Sequence, residues 1–305
     1  MLGERDRLAH LCSHLSLLTD AVPSLRVLIT GATSQLGCAL LPMLQDECHE
    51  VTALSRDLNG VDATLAQWRK ADLTEGWPSV DRCDVLVSFG PMQALADALA
   101  SLNVAPCRRL VATSSMSAVS KQDSRVAEDR QLSASLRNAE AALIAQCERL
   151  GIGWTVLRPT MIYGLGMDQN LSPVARRALQ TRMFPYPKGR GLRQPVHAID
   201  VATAAWQAAN TATAAGQIIP IGGGERLRID DMFRRVRDGL PRWTLPIALP
   251  RWLLRLLEMT LPKLRGALSR VDVDLIADNC VLETVLGVRP RRFQPDVARW
   301  LEEGR

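Results

Sequence analysis

The sequence predicts an α/β fold: a doubly wound parallel sheet with a smaller, mostly helical C-terminal lobe. From Leu25 onward, short apolar or β-branched runs alternate with helical segments, as in a parallel sheet covered by helices on both faces. After Gly164 this alternation stops, and residues 165–195 contain several prolines and arginines. Most of the remaining chain has helical patterning, so we expect a second lobe there.

The elements of the predicted sheet follow in order along the chain. The strands are 26–30, 50–54, 84–88, 108–113, 154–158 and 217–221. The helices are 36–46, 61–69, 92–102, 132–150 and 196–210. This pattern divides the chain into an N-terminal extension (1–24), a main domain (25–164, rejoined by 196–224) and the lobe (165–195 and 225–305).

The segment RVLITGATSQLG, residues 26–37, runs from a buried strand through a glycine turn into a helix. Gly31 lets the backbone turn sharply, and Gly37 lets the helix pack closely on the sheet. The N–H groups at the helix N-terminus favour an anion such as the diphosphate of a dinucleotide. Ser34 replaces a third glycine: its hydroxyl can donate to a phosphate, whereas its Cβ narrows the approach. The segment therefore predicts a Rossmann-type sheet that binds a dinucleotide.

The end of the second strand indicates which dinucleotide is bound. A carboxylate there hydrogen-bonds the ribose hydroxyls of NAD, whereas an arginine suits the 2′-phosphate of NADP. Ser55 and Arg56 favour NADP, while Asp57, one residue later, keeps NAD open. The alternative for Arg56 is an ordinary solvated surface residue.

Further motifs follow this turn in a fixed order. They are ADL (71–73), DVLVSFG (84–90), RRLVATSSMSA (108–118), WTVLRPTMIYGLG (154–166), PVHAIDVA (195–202) and LGVRPRRF (286–293). Together they resemble the extended short-chain dehydrogenases/reductases of the NAD-dependent epimerase/dehydratase family. Within that family they look most like bacterial nucleoside-diphosphate-sugar epimerase-like proteins.

The resemblance implies a set of cofactor-binding residues. It places Asp72 beside the adenine and residues 88–90 along the ribose and nicotinamide. It also implies dimerisation through two long helices, here 92–102 and 132–150, whose apolar positions permit a homodimer. The expected cofactor-binding residues are Gly31, Thr33, Ser34, Gln35, Leu36, Gly37, Ser55, Arg56, Asp72, Leu73, Ser88, Phe89, Gly90, Thr113, Pro159, Thr160 and Met161.

One departure from the family concerns its catalytic Tyr-x-x-x-Lys helix, in which the lysine lowers the pKa of the tyrosine so that the phenol exchanges a proton with substrate. The chain has two tyrosines, and Met167 and Arg190 stand four residues after them. The corresponding helix offers Leu136 near the tyrosine position, and Arg137 or Glu140 near the lysine position. We therefore expect a non-standard active site.

Other groups must then move the proton. The catalytic candidates are Ser115, which can instead cap a strand end, and Tyr163, which can instead pack as an aromatic beside the cofactor. Lys121 is a further candidate. Ser114 and Arg193 are expected to contact the substrate, which is a small carbonyl compound or a nucleotide sugar. Arg193 suits a nucleotide sugar, because arginines bind diphosphates well.

Composition excludes several classes of function. The net charge of +5 is diffuse, with no basic run interleaved with aromatics, so no nucleic-acid partner is expected. Seven scattered cysteines without a CxxC pair indicate reduced thiols of a cytoplasmic protein and no metal site. The N-terminal segment lacks the long apolar core of a signal peptide, and no membrane span is predicted.

Two alternatives stay open at this point. A chain that keeps the pocket without the catalytic pair can serve as a non-catalytic dinucleotide sensor or assembly subunit. Residues 240–270 mix leucines, two tryptophans and six basic residues, which suits either an amphipathic lobe over the ligand cleft or an anionic membrane surface. The prolines favour packing within the lobe, so membrane association is not expected.

Overall fold

A seven-stranded parallel sheet organises the computed structural model, which describes residues 24–47, 49–260, 266 and 268–295. The strand order is β11-β6-β5-β4-β1-β2-β3, with every neighbouring pair parallel. This order confirms the predicted doubly wound, Rossmann-type sheet. The strands are β1 Arg26–Thr30, β2 Glu50–Ser55, β3 Gln67–Lys70, β4 Val85–Ser88, β5 Arg109–Thr113, β6 Gly153–Pro159 and β11 Gln217–Ile221.

Helices cover both faces of this sheet. Apolar side chains of α1 and α6 form one core with β1, and those of α2 and α4 form a second core on the opposite face. Leu40 and Ala204 belong to the first core, and Leu95 and Leu143 to the second; all four are fully buried. The helices are α1 Gln35–Asp46, α2 Met92–Ala100, α3 Ser117–Ser120, α4 Ala127–Leu150 and α6 Ala198–Asn210.

The prediction of a helix over residues 61–69 is wrong. Asp62 caps a turn by accepting hydrogen bonds from the backbone N–H and the hydroxyl of Thr64, at 2.9 and 2.7 Å. Residues 67–70 then pair with β2 as the edge strand β3. The helical spacing of apolar residues in VDATLAQWR is overridden by this pairing, because strand formation depends on tertiary context more than on local propensity.

Apart from α6 and β11, which belong to the main sheet and its helices, the chain after β6 forms a separate set of elements. Three small sheets pair β7 with β10, β9 with β12 and β8 with β13. Tyr163, Phe184, Val236 and Phe293 are buried in a third core there. The elements are β7 Ile162–Tyr163, α5 Ser172–Thr181, β8 Met183–Pro187, β9 Leu192–Arg193, β10 Val196–His197, β12 Leu227–Arg228, α7 Ile229–Asp238, β13 Leu245–Leu249, α8 Arg251–Thr260 and α9 Cys280–Leu286.

The cysteines differ in burial. Cys83, Cys107 and Cys147 are buried, as expected, whereas Cys38 and Cys280 are exposed. Cys12 and Cys48, like the N-terminal extension as far as residue 23, lie outside the described residues. Within the described ranges, no helix is both long and apolar enough to span a bilayer.

Candidate functional site

The carboxyl ends of β1 and β4 approach each other closely at the predicted phosphate turn. Gly31 has a φ of +66°, and a Cβ there would lie 2.7 Å from the backbone N of Gly90 and 2.7 Å from the carbonyl carbon of Phe89. A Cβ at Gly37 would lie 2.2 Å from the carbonyl oxygen of Ala32. Both glycines are therefore required by backbone contact, and α1 begins directly at the point where the strand order reverses.

The N-terminus of α1 is capped by Ser34. Its hydroxyl accepts a hydrogen bond from the backbone N–H of Gly37 at 3.2 Å, and its own N–H donates to the carbonyl of Gly31 at 2.9 Å. The hydroxyl hydrogen can still point outward. The N–H groups of Gln35 and Leu36, in the first turn, have no acceptor within the helix and suit an anion.

Gln35 links the phosphate turn to the loop that follows β7. Its side-chain Nε2 donates to the carbonyl of Gly164 at 2.7 Å. That loop has three consecutive positive φ angles, 103° at Gly164, 57° at Leu165 and 71° at Gly166. A left-handed leucine costs energy, so the tertiary contacts must hold this loop in place. The side chain of Gln35 thus connects the start of α1 to the loop after β7.

The ends of β1 and β4 also share a buried hydroxyl pair. The hydroxyl of Thr30 donates to that of Ser88 at 2.8 Å, and both residues are buried. Ser88 was expected to line the ribose and nicotinamide, and this contact fixes its side chain at the end of the strand. Phe89, next to it, packs against the core on the α1 face.

At the end of β2, the guanidinium of Arg56 lies near the carboxylate of Asp72. Arg56 is exposed, while the hydroxyl of Ser55 donates to the carbonyl of Asp57 at 2.6 Å. The carboxylate of Asp72 accepts from the N–H and the hydroxyl of Thr74, at 2.9 and 2.8 Å. These bonds lower the pKa of Asp72, and the nearby charge of Arg56 lowers it further. Leu73 follows and packs against the core on the α4 face.

A buried ion pair joins α4 to the ends of β5 and β6. The carboxylate of Glu140, in a residue that is 2% exposed, accepts from Nε of Arg158 at 2.9 Å and also from its Nη2. The hydroxyl of Ser114 donates to the same carboxylate at 2.5 Å. Ser114 was expected to bind substrate, but its hydroxyl hydrogen is directed at Glu140. Arg158 was not among the sequence candidates.

The helix α4 carries the residues that were expected near the positions of the catalytic pair, Leu136, Arg137 and Glu140. Leu136 and Glu140 are one turn apart on the helix, and Glu140 is the residue that reaches the end of β5 through Ser114. Arg137, the other candidate, is half-buried, and its Nε atom has no hydrogen-bond partner in the described structure. Leu136 therefore offers no group that can exchange a proton, and the carboxylate of Glu140 is already paired.

The remaining candidates for proton transfer have different surroundings. Ser115 is half-buried, and its oxygen accepts from the N–H of Ser117 at 3.1 Å, which leaves the hydroxyl hydrogen to donate elsewhere. Tyr163 is fully buried and its phenol oxygen accepts from the N–H of Gln294 at 3.3 Å. Its ring packs edge-on against His197, so aromatic packing accounts for its position. Lys121 forms an ion pair with Asp129 at 2.9 Å.

The loop after β6 is fixed mainly through its backbone. The carbonyl of Pro159 accepts from the N–H of Met116, and the carbonyl of Met161 accepts from the N–H of Val196, both at 2.9 Å. The hydroxyl of Thr160 donates to the carbonyl of Gln194. At the end of β5, the hydroxyl oxygen of Thr113 is buried and has no partner within the described residues.

Arg193 is bound internally, which does not support its expected contact with substrate. Its guanidinium donates to the carbonyls of Leu192, Val273 and Arg270, at 2.9, 2.7 and 2.8 Å. The residue is 6% exposed, and burial lowers the pKa of its guanidinium to about 10. Two of these acceptors, Val273 and Arg270, lie 80 and 77 positions away in sequence, so the spacing of residues gave no sign of them.

The comparisons with known proteins agree with this geometry. Residues 89–222 match the NAD dependent epimerase/dehydratase family. The match covers 134 of the 305 residues. The match begins directly after β4 and includes β5, β6 and the helix α4 that bears Leu136 and Glu140. No curated protein sequence matches the chain.

Several solved structures have a similar fold. One is the UDP-glucose 4-epimerase of Thermotoga maritima with UDP-glucose (TM-score 0.67, 15% identity, 91% of this chain and 97% of that chain). Another is the UDP-glucuronic acid 4-epimerase of Bacillus cereus with NAD (TM-score 0.68, 15% identity, 92% and 100%). A third is the Bordetella bronchiseptica enzyme WbmG with NAD (TM-score 0.66, 16% identity, 94% and 97%). At these identities the likeness establishes the fold.

Proposed function

We propose that this chain binds NAD(P)(H) across the ends of β1 and β4 and acts as an NAD(P)-dependent oxidoreductase or epimerase-like protein. The phosphate turn carries this proposal, because Gly31 and Gly37 are required by backbone contact and α1 presents its N-terminus there. The buried, unpartnered hydroxyl of Thr113, at the end of β5, is a further group that suits a bound ligand. The structures that are similar in fold include proteins solved with NAD.

The substrate we propose is a small carbonyl compound or a nucleotide sugar, as in the nucleotide-sugar epimerases that share the fold. A bound nicotinamide would supply or accept the hydride. Leu136 cannot move a proton, and the carboxylate of Glu140 is already paired with Arg158. Ser115 is the group that we propose to donate a hydrogen bond or a proton to the ligand, because its hydroxyl hydrogen is not required by its contact with Ser117.

The replaced catalytic pair favours a second candidate function. A chain with a leucine and a paired carboxylate at these positions can hold a dinucleotide as a sensor or an assembly subunit without turning over a substrate. The two candidates agree on cofactor binding and differ only in chemistry. Separate measurements of binding and turnover therefore distinguish them.

The first experiment is native mass spectrometry of the purified protein, followed by fluorescence titration with NADH and NADPH. We expect NADPH to bind more tightly and Arg56→Ala to remove this preference, since Arg56 is exposed at the end of β2. Equal binding of both dinucleotides by the wild type would contradict the preference for NADP. If neither binds at millimolar concentration, the cofactor proposal is wrong.

The second experiment tests chemistry with nucleotide sugars such as UDP-glucose and the oxidised cofactor. Ser115→Ala is expected to lower turnover by about 100-fold while leaving NADPH binding unchanged. Ser117→Ala is the matched control, because it keeps the N–H that contacts Ser115. Cofactor binding without turnover of any tested sugar would favour the sensor or assembly role.

A further inference from the structure

An exposed apolar stripe runs along helix α8, in the segment after β13. Trp252 is 68% exposed, Leu256 51% and Met259 78%. These positions are spaced i, i+4 and i+7, so they lie on one face of the helix. Leu254 lies on the opposite face, about 200° around the helix from Trp252, and is 4% exposed. The helix thus packs into the third core through Leu254 and presents its other apolar face to solvent.

Arginines border this stripe on one side. Arg251 and Arg255 are one turn apart, both exposed, and about 60° to 100° around the helix from Trp252. Residues 240–270 contain six basic residues and one acidic residue, Glu258. Arg251 also contacts the carboxylate of Asp272 at 2.5 Å. The segment that contains α8 therefore has a net positive charge in sequence, and Arg255 is its exposed cation next to the stripe.

A second exposed apolar group lies on the strand that precedes this helix. Leu245, the first residue of β13, is directly opposite Met183 of β8, and they are 48% and 47% exposed. Trp243 is 74% exposed, and its carbonyl accepts from Nη1 of Arg182 at 3.1 Å. Exposed tryptophan and methionine side chains and an arginine therefore recur in this segment. If the segment packed over a ligand cleft, as expected from the sequence, its apolar side chains would be buried instead.

We propose that α8 lies on the surface of an anionic lipid bilayer, with the stripe Trp252, Leu256 and Met259 in the boundary between headgroups and acyl chains. The guanidinium groups of Arg251 and Arg255, beside this stripe, contact the phosphates of the lipid headgroups. Large apolar side chains bordered by arginines, in a segment with an excess of basic residues, are the chemistry of an interfacial helix. The helix has ten residues and cannot span a bilayer, so it lies on the surface.

The test is flotation of the full-length chain with vesicles of phosphatidylcholine alone and with vesicles that also contain phosphatidylglycerol. We expect binding to the anionic vesicles at low salt, weaker binding at high salt, and little binding to the neutral ones. Arg255→Gln is expected to weaken binding about fivefold. Because Arg251 also pairs with Asp272, the single variant at Arg255 is the cleaner measure of charge.

The stripe itself is tested by the triple variant W252S/L256S/M259S, which we expect to weaken binding at least about 100-fold. The matched control is V104S/V119S/L132S, since those residues are also exposed but lie elsewhere on the surface. Circular dichroism and the melting temperature establish that each variant is folded. The control variant should bind as the wild type does.

Several results would overturn the proposal. The first is absence of binding to anionic vesicles at low salt, and the second is undiminished binding by the folded stripe variant. The third is a wild-type dimer in sedimentation that the stripe variant converts to a monomer while vesicles bind neither form, because a second copy of the chain would then cover α8. Cofactor titration is independent of all three results.

Discussion

Replacing Arg158 by methionine removes the only cation that contacts the buried carboxylate of Glu140 among the described ion pairs. Of the three hydrogen bonds that this carboxylate accepts, two come from Arg158 and one from Ser114. Hydrogen bonds to a charged group contribute about 1.5–3 kcal/mol each, which gives about 3–6 kcal/mol for the two bonds. Measured losses on breaking buried ion pairs are about 3–5 kcal/mol, so we expect R158M to lower the free energy of unfolding by that amount.

Comparison with the double variant separates charge burial from lost packing. E140M/R158M leaves no uncompensated charge, and paired replacement of a buried ion pair by apolar residues is often close to neutral. We therefore expect the double variant to be more stable than R158M, with a coupling energy of at least about 2 kcal/mol in urea denaturation followed by far-UV circular dichroism. A loss below about 1 kcal/mol in R158M, or strictly additive effects, would refute this account of the pair.

Three further predictions concern stability and reactivity. Gly31→Ala should destabilise the fold by about 2 kcal/mol more than Gly60→Ala, because both residues have positive φ but a Cβ at Gly60 would meet no atom within 4 Å; equal losses of melting temperature would contradict this. Burial of Glu225 opposes its ionisation, but hydrogen bonds and charge from Arg235 and Arg292 outweigh burial and lower its pKa below the ordinary 4.5. Its contribution to stability should therefore be complete above pH 4.5 and lost as the pH falls through the lowered folded-state pKa, a dependence that Glu225→Gln should lack in acid titration. Burial raises the pKa of the Cys147 thiol to about 12, so C147S should not change the number of thiols that react rapidly with an aromatic disulfide, whereas C280S, at an exposed thiol, should lower it by one.

The strand and turn pattern of the main sheet could be predicted because local and tertiary preferences agree there. In buried runs with β-branched residues, such as Arg26–Thr30, no other secondary structure competes with the strand. Gly31 marks where the chain must turn. At 61–69 the two preferences conflict. Trp68 has helical spacing from its apolar neighbours, but its indole N–H donates to the carbonyl of Asp62 and its backbone joins the sheet edge.

The candidate site was predictable where backbone geometry defines it and less so where side chains pair across the fold. The missing Tyr-x-x-x-Lys pattern is visible in the sequence, but Arg137 and Glu140 were equally good candidates for the lysine position. In the structure the two residues differ in their pairing, because Glu140 contacts Arg158, eighteen residues further along the chain in β6. The four-residue spacing of Leu136 and Glu140 was the one sequence signal that placed them on the same face of the helix. A buried carboxylate also needs a cation as its partner, and sequence order alone does not identify that cation.

The sign of the charge at position 140 bears directly on the chemistry. In the Tyr-x-x-x-Lys arrangement an ammonium stabilises a phenolate, so a carboxylate in its place would raise the pKa of a tyrosine at position 136. Restoring that tyrosine alone therefore should not restore the usual proton transfer, because Glu140 would oppose its ionisation and Arg158 is already paired with Glu140. Leu136 and Glu140 are consistent with each other as neighbours, since an apolar side chain beside a closed ion pair leaves no titratable group unpaired. Proton transfer at this site would then need a group on a different element, and Ser115, which follows β5, is the group that we propose.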